Sequence, residues 1–401
     1  GGLITALLEM NFSNLKGGLD IDLTELCEKD LIRLLFSEKP AVIIQVKKDQ
    51  EVLSLLKSSG IVAFKIGKYV SLREVRIQNW GTVHHFDIDS LRDIWFKTSY
   101  LFDRNQTKPM FALARYRNYK KQPLIFNFSD IFLGKFSQFG IKPKEMGGKK
   151  IKAAIIREKG VNGDREMAWA LHLAGFEVKD IHTTDLIKGT EGLEEINFIV
   201  FVGGFSNSDV FGSGKGWAGA LLYNDKANTA IRNFYSRADT LSLGICNGCQ
   251  VMTELGLIYP DHKEHPKMKN NDSGKFESAF LTVDILPNNS VMLKSLTGSR
   301  LGIWLANGEG RFHFPQDESN YCIPIKYSYQ EYPGNLNGSP FGAAGIVSYD
   351  GRHLAMMPHI ERAIFPWQWP YYPEKRKTDQ MSPWFEAFVN AREWLTEKLK
   401  A

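Results

Sequence analysis

The chain has 401 residues, 43% hydrophobic and 24% charged, with a net charge of +5. That length allows two or three domains with a sizeable core. The charge is small for the length and no dense Lys/Arg stripe interleaved with aromatics occurs, so nucleic acid is not an expected partner. No apolar run is long enough to span a membrane, and no signal peptide is recognisable. The four cysteines, Cys27, Cys246, Cys249 and Cys322, form no disulfide framework, so a reducing cytoplasm is the expected compartment. The chain opens Gly1-Gly2-Leu3-Ile4, without Met and already inside an apolar pattern. It reads as a piece of a longer protein, with function missing upstream.

In chain order, residues 1–12 have the spacing of an amphipathic helix, and Leu19 to Leu23 alternates like a strand. Glu25 to Phe36 reads as a helix, Ala41 to Val46 as a buried strand, and Asp49 to Ser58 as a helix opened by an acidic cap. Ile61 to Gly67 and Glu74 to Ile77 read as strands, and Asp89 to Tyr100 as a helix. Residues 1–102 thus form an α+β module with no chemical motif of its own. Residues 103–149 begin basic, with Arg104, Lys108, Arg115, Arg117, Lys120 and Lys121, and turn aromatic from Pro123 to Phe139. The aromatics are expected to pack this segment onto its neighbours, and Pro143 to Gly148 reads as a linker.

From residue 150 to 401 the pattern changes. Ile151 to Ile156, Phe176 to Val178, Phe198 to Val202 and Leu241 to Ile245 read as strands. Helical spacing separates them at Gly163 to Ala174 and Asn228 to Ala238. Alternation of this kind predicts an α/β fold with a parallel doubly wound sheet and a site at the C-terminal ends of its strands. After Pro260 the chain is strand-rich, with segments near Phe280, Leu301, Tyr321, Gly345 and Leu354, and a helix from Pro383 to Lys400 closes it.

Cys246 stands directly after the fourth strand, in Gly244-Ile245-Cys246-Asn247-Gly248, with helical spacing following. A strand turning sharply into a helix, with small residues around a thiol, is a nucleophile elbow, and the helix N-terminus favours the thiolate. Cys249 invites a redox or zinc reading of Cys-x-x-Cys. No second cysteine pair exists, and four strands precede the motif, so Cys249 is read as packing. A thiol nucleophile needs a base and a group to orient it. His359 follows an apolar strand and precedes Glu361 by two residues, so one carboxylate can hold the imidazole while its other nitrogen faces the thiol. Gly203-Gly204-Phe205 ends the preceding strand, and glycines there let backbone N–H groups approach a developing oxyanion. The glycine-rich stretch at Phe211 to Gly216 fails the phosphate-loop frame, because Asp209 replaces its first glycine and Gly216 its Ser/Thr. No metal site is expected.

Gly244 to Gln250 together with Pro358-His359-Ile360-Glu361-Arg362 resembles the class I (triad) glutamine amidotransferases. Within that class the set is similar to the glutaminase domains of the phosphoribosylformylglycinamidine synthase family. Gly203 to Ser206, Asp209, Gly212 to Trp217, Asn307 to Arg311, Tyr332-Pro333, Asn337 to Pro340 and Ser382 to Trp384 support it in family order. The resemblance implies Cys246 as nucleophile, His359 as base and Glu361 as its orienter. It implies oxyanion N–H groups near Gly204 and Asn247, and a loop-positioning role for Gln250. It makes L-glutamine the substrate, with no cofactor for the glutaminase itself. It further implies that residues 1–102 are the end of a synthetase domain which, complete, binds ATP, magnesium and formylglycinamide ribonucleotide and receives the ammonia. Two positions depart from the family: Asn307 stands where His is usual, and Ile360 where Pro is usual. A non-catalytic, regulatory amidotransferase-like domain and a cysteine hydrolase on the same fold are the alternatives.

Overall fold

A computed structural model describes residues 1–140 and 151–400. The linker expected at Pro143 to Gly148 and the domain start at residue 150 lie outside the described residues. The chain divides into two compact units, Gly1–Pro123 and Leu124–Ala401, so the division falls inside the 103–149 segment.

The first unit begins with α1 (Gly2–Phe12) and β1 (Gly18–Asp22), followed by α2 (Leu31–Phe36) and α3 (Asp49–Ser58). It continues with β2 (Gly67–Val70), β3 (Glu74–Asn79), β4 (Thr82–Asp87), α4 (Ile88–Gln106) and α5 (Pro109–Asn118). The strands lie in the order β2-β1-β3-β4. β3 alternates in burial, placing Val75 and Ile77 in a core with Leu7, Ile21, Leu23 and Ile88. Three expectations are corrected here. Ala41 to Val46 forms no strand, and Val42 is 86% exposed. Its β-branched run has no neighbouring strand among the described residues to complete its backbone hydrogen bonds. Ile61 to Ile66 is likewise irregular, and the strand begins only at Gly67. The helix expected over Glu25 to Phe36 is broken: Cys27 sits in the left-handed region at φ 58°, and the Asp30 carboxylate caps a new start by accepting from Ile32 N and Arg33 N.

The second unit runs β5 (Lys152–Arg157), α6 (Asp164–Leu173), β6 (Glu177–His182), α7 (Thr183–Lys188) and β7 (Phe198–Phe201). Then come α8 (Lys215–Leu222), α9 (Asp225–Ser236), β8 (Leu241–Ile245) and α10 (Asn247–Glu254). Next are β9 (Lys267–Lys269), β10 (Glu277–Ile285), β11 (Arg300–Asn307), β12 (Arg311–His313) and β13 (Cys322–Tyr327). The unit closes with β14 (Ala343–Val347), β15 (His353–Met356) and α11 (Glu386–Lys398). Its nine-stranded sheet has the order β11-β10-β13-β14-β15-β8-β7-β5-β6. β15, β8, β7, β5 and β6 are parallel, and β14, β13, β10 and β11 extend the sheet antiparallel. The parallel α/β arrangement is as the sequence implied, with a four-stranded antiparallel wing added. β7 and β8 are buried along their whole length, the burial of strands covered on both faces.

The aromatic stretch after Pro123 belongs to this unit. Asn127 pairs with Arg300 on the sheet edge through two backbone hydrogen bonds of 2.8 and 2.9 Å. Phe126 and Phe128 pack edge-on to Trp369, and Phe139 to Phe385. Among the described residues no helix is long and apolar enough to cross a membrane.

Candidate active site

β8 ends in Cys246, which stands at φ 51° and ψ −105° and opens α10. A non-glycine residue in such a region stores about 1–3 kcal/mol of strain, and such strain clusters at functional sites. Two flanking glycines explain how the turn fits. A Cβ on Gly244 would lie 2.5 Å from Met252 Sδ, and one on Gly248 would lie 1.9 Å from the Phe201 carbonyl oxygen. The elbow is therefore pressed against β7 with no room for side chains beside the thiol. Cys246 N donates to Met356 O at 2.9 Å, tying the turn to β15.

β15 delivers the second group. Its parallel register with β8 pairs Met356 with Ile245, so the chain beyond each strand leaves on the same side of the sheet. His359 N donates to Trp304 O at 2.8 Å, and His359 Nδ1 lies 2.6 Å from Glu361 Oε1. Both side chains are buried, at 3% and 1% exposure. Cys246 Sγ lies 3.5 Å from Ala306 O, and its charge acts on the neighbouring imidazole. With Nδ1 committed to Glu361, Nε2 is the nitrogen left for sulfur. Burial opposes charge on His359, but the Glu361 carboxylate and then Cys246 outweigh it and hold its pKa up, to about 10. That favours an imidazolium facing the sulfur. The thiol of Cys249, by contrast, is pushed well up by burial and then by the charge of Cys246, which leaves it a packing residue.

Gly203 and Gly204 lie against this pair. A Cβ on Gly203 would sit 2.9 Å from His359 Cε1 and 3.5 Å from Cys246 Cβ. Gly204 has φ 134°, and a side chain there would strike Val161 Cα at 2.4 Å. Asn247 holds the next loop, its Oδ1 accepting from Ser206 N at 3.1 Å. Asn247 Nδ2 donates to Gln250 Oε1 at 2.8 Å, and Gln250 Nε2 donates to Glu309 O at 2.9 Å. Both ends of the Gln250 amide are thus committed, one to Asn247 in its own helix and one to the loop at Glu309. Phe205 is 45% exposed, with its ring 5.9 Å from that of Phe276.

At the two unusual positions, Ile360 is fully buried between His359 and Glu361. Asn307 is buried, and its Oδ1 accepts from Asn337 Nδ2 at 3.0 Å. Sequence reasoning missed the loop at residues 158–163 and the side chain of Arg362. Arg362 Nη2 donates to Asn162 Oδ1 at 2.7 Å. No local pattern marks Asn162, which is 200 residues away. Arg362 was visible only as the last letter of the histidine motif. Among the described residues no three His, Cys, Asp or Glu side chains converge as a metal site.

Residues 150–395 match the CobB/CobQ-like glutamine amidotransferase domain family, and the chain belongs to it. Over nearly its whole length the chain is also similar to a narrower group. It is 37% identical to human phosphoribosylformylglycinamidine synthase, covering 99% of this chain and 32% of that protein. It is 38% identical to a probable chloroplastic/mitochondrial phosphoribosylformylglycinamidine synthase of Arabidopsis thaliana, covering 98% of this chain and 29% of that protein. The Dictyostelium discoideum phosphoribosylformylglycinamidine synthase is 37% identical over 98% of this chain and 32% of its own length. The chain spans about a third of the length of these relatives.

Proposed function

We propose that the second unit hydrolyses glutamine through Cys246, His359 and Glu361. The observation that carries this reading is the buried imidazole of His359, bonded to Glu361 at 2.6 Å and lying with the Cys246 side chain against one glycine turn. Cys246 Sγ attacks the side-chain amide carbon of glutamine, and the carbonyl oxygen becomes an oxyanion. The N–H groups of Gly204 and Asn247 are its donors, and that of Asn247 lies in the first turn of α10, where no intrahelical acceptor exists. His359 passes its proton to the leaving nitrogen, and ammonia departs. A water, deprotonated by His359, then cleaves the γ-glutamyl thioester and releases glutamate.

In the complete protein the ammonia passes to a synthetase site that uses ATP and magnesium to convert formylglycinamide ribonucleotide to formylglycinamidine ribonucleotide. The names and lengths of the relatives support that extension. A cytoplasmic location is part of the same proposal and suits four free cysteines. The experiment is glutamate release by the wild type and by Cys246→Ala. The variant is expected to release none above background; equal rates would end the reading.

A further inference from the structure

The loop at residues 158–163 touches both halves of the candidate site. Asn162 N donates to Gly203 O at 2.8 Å. The Gly203 carbonyl and the Gly204 N–H belong to one peptide unit. In a planar trans peptide they point in opposite directions, so fixing one aims the other. Two further bonds of the loop hold the stretch that follows: Phe205 N donates to Gly160 O at 2.9 Å, and Asn207 N to Lys159 O at 3.0 Å. Gly204 can approach this closely only because it has no side chain, since a Cβ would lie 2.6 Å from Asn162 N.

The same asparagine reaches the base. Its Oδ1 takes the 2.7 Å hydrogen bond from Arg362 Nη2, and Arg362 Nε lies 3.6 Å from Glu361 Oε1. Glu361 needs such a neighbour. It is 1% exposed, and among the described residues its Oε2 has no hydrogen-bond partner. A buried carboxylate is costly unless a counter-charge stands near it. Gly163 completes the fit: at φ 80°, its missing Cβ would lie 3.2 Å from Glu361 Oε1 and 3.4 Å from Arg362 Nη2.

From this we propose that Asn162 and Arg362 are positioning residues. Through them, one loop aims the Gly204 N–H at the oxyanion and ties that aim to the carboxylate orienting His359. The proposal rests on the glutaminase reading. Neither residue touches the substrate; Asn162 acts through the Gly203–Gly204 peptide and Arg362 through Glu361.

The test is a double-mutant cycle on the full chain, reading glutamate release and the rate at which a glutamine-like electrophile, diazo-oxonorleucine, modifies Cys246. Asn162→Ala keeps the backbone donor but frees it from Arg362; Arg362→Lys keeps the charge but not the fork. Each is expected to lower kcat about 10- to 100-fold, with KM changed by less than about threefold. The double variant should lose no more than the worse single variant, because the two act as one unit. Asn162→Asp retains an acceptor for Arg362 and should restore kcat to within about threefold of wild type. Wild-type kcat in both single variants would overturn the proposal. So would losses that multiply in the double variant, or losses that track a lowered melting temperature. A wild type that neither releases glutamate nor is modified at Cys246 overturns the glutaminase reading itself. An active wild type with indifferent variants overturns only the positioning role.

Discussion

Strands β8 and β15 carry a hydroxyl or thiol and a histidine at both of their ends. At the upper end are Cys246 and His359. At the lower end Ser242 pairs in register with His353, and Ser242 Oγ lies 3.0 Å from His353 Nδ1. Both pairs are buried. What differs is the company. The lower carboxylate, Asp350, is taken by Arg352 Nε at 2.7 Å and by Ser348 Oγ. Burial, and then the charge of Arg352, depress the His353 pKa to about 3 against the pull of Asp350. The imidazole is neutral; Ser242 accepts from Tyr235 at 2.9 Å and shares its other hydrogen bond with His353 Nδ1. At the upper end the carboxylate bonds the imidazole itself, and the proposed nucleophile, Cys246, sits in a strained turn with glycine backbone alongside. A nucleophile next to a histidine is therefore not enough. The carboxylate's choice of partner and the backbone beside the thiol or hydroxyl separate the pair proposed to be active from the structural one.

The largest effect that sharpens this contrast comes from Glu361→Gln. The variant keeps the shape but removes the charge that keeps His359 protonated, making the upper histidine more like the lower one. It should lower kcat about 10³–10⁴-fold, measured as steady-state glutamate release; a loss under tenfold would break the comparison. Next is Gly248→Ala, whose Cβ would meet a backbone carbonyl at 1.9 Å. It should cost about 3 kcal/mol in denaturant unfolding, because neither β7 nor α10 can yield. Smaller is Ser242→Ala at the lower end. It leaves Tyr235 and His353 each short of a partner and should cost about 1–3 kcal/mol, with glutaminase kinetics unchanged.

The two histidines should also oppose each other in pH dependence. His359 is raised in the folded state, to about 10, above its ordinary 6.5. Its contribution is fully present below pH 6.5 and is lost as pH rises towards 10. His353 is depressed to about 3, so the unfolded chain gains the proton first and stability falls as pH drops from 6.5 towards 3. Melting temperature followed against pH should show the acid limb flatten in His353→Gln and remain in His359→Gln. The reverse pattern would exchange the roles assigned to the two ends.

Much of this was legible in the sequence where the signal is local. β8 and α3 lie at Leu241 to Ile245 and Asp49 to Ser58, as their apolar spacing indicates. The elbow announces itself because a strand, small residues and a helix are consecutive. The histidine motif was readable because Glu361 is two residues from His359. The run at Ala41 to Val46 misled because apolar, β-branched composition reports strand propensity and not the presence of a strand to pair with. The antiparallel wing was visible as strands but not as order. The lower Ser242–His353 pair, 111 residues apart, and the Asn162–Arg362 bond, 200 residues apart, are products of register, which a single sequence does not display.

The most direct test of the central claim is the mass of the intact chain and its peptides after exposure to diazo-oxonorleucine. The account predicts one adduct, on the peptide carrying Cys246, protected by glutamine and absent in Cys246→Ala. Modification on Cys249 or Cys322 with Cys246 untouched, or no protection by glutamine, would contradict it.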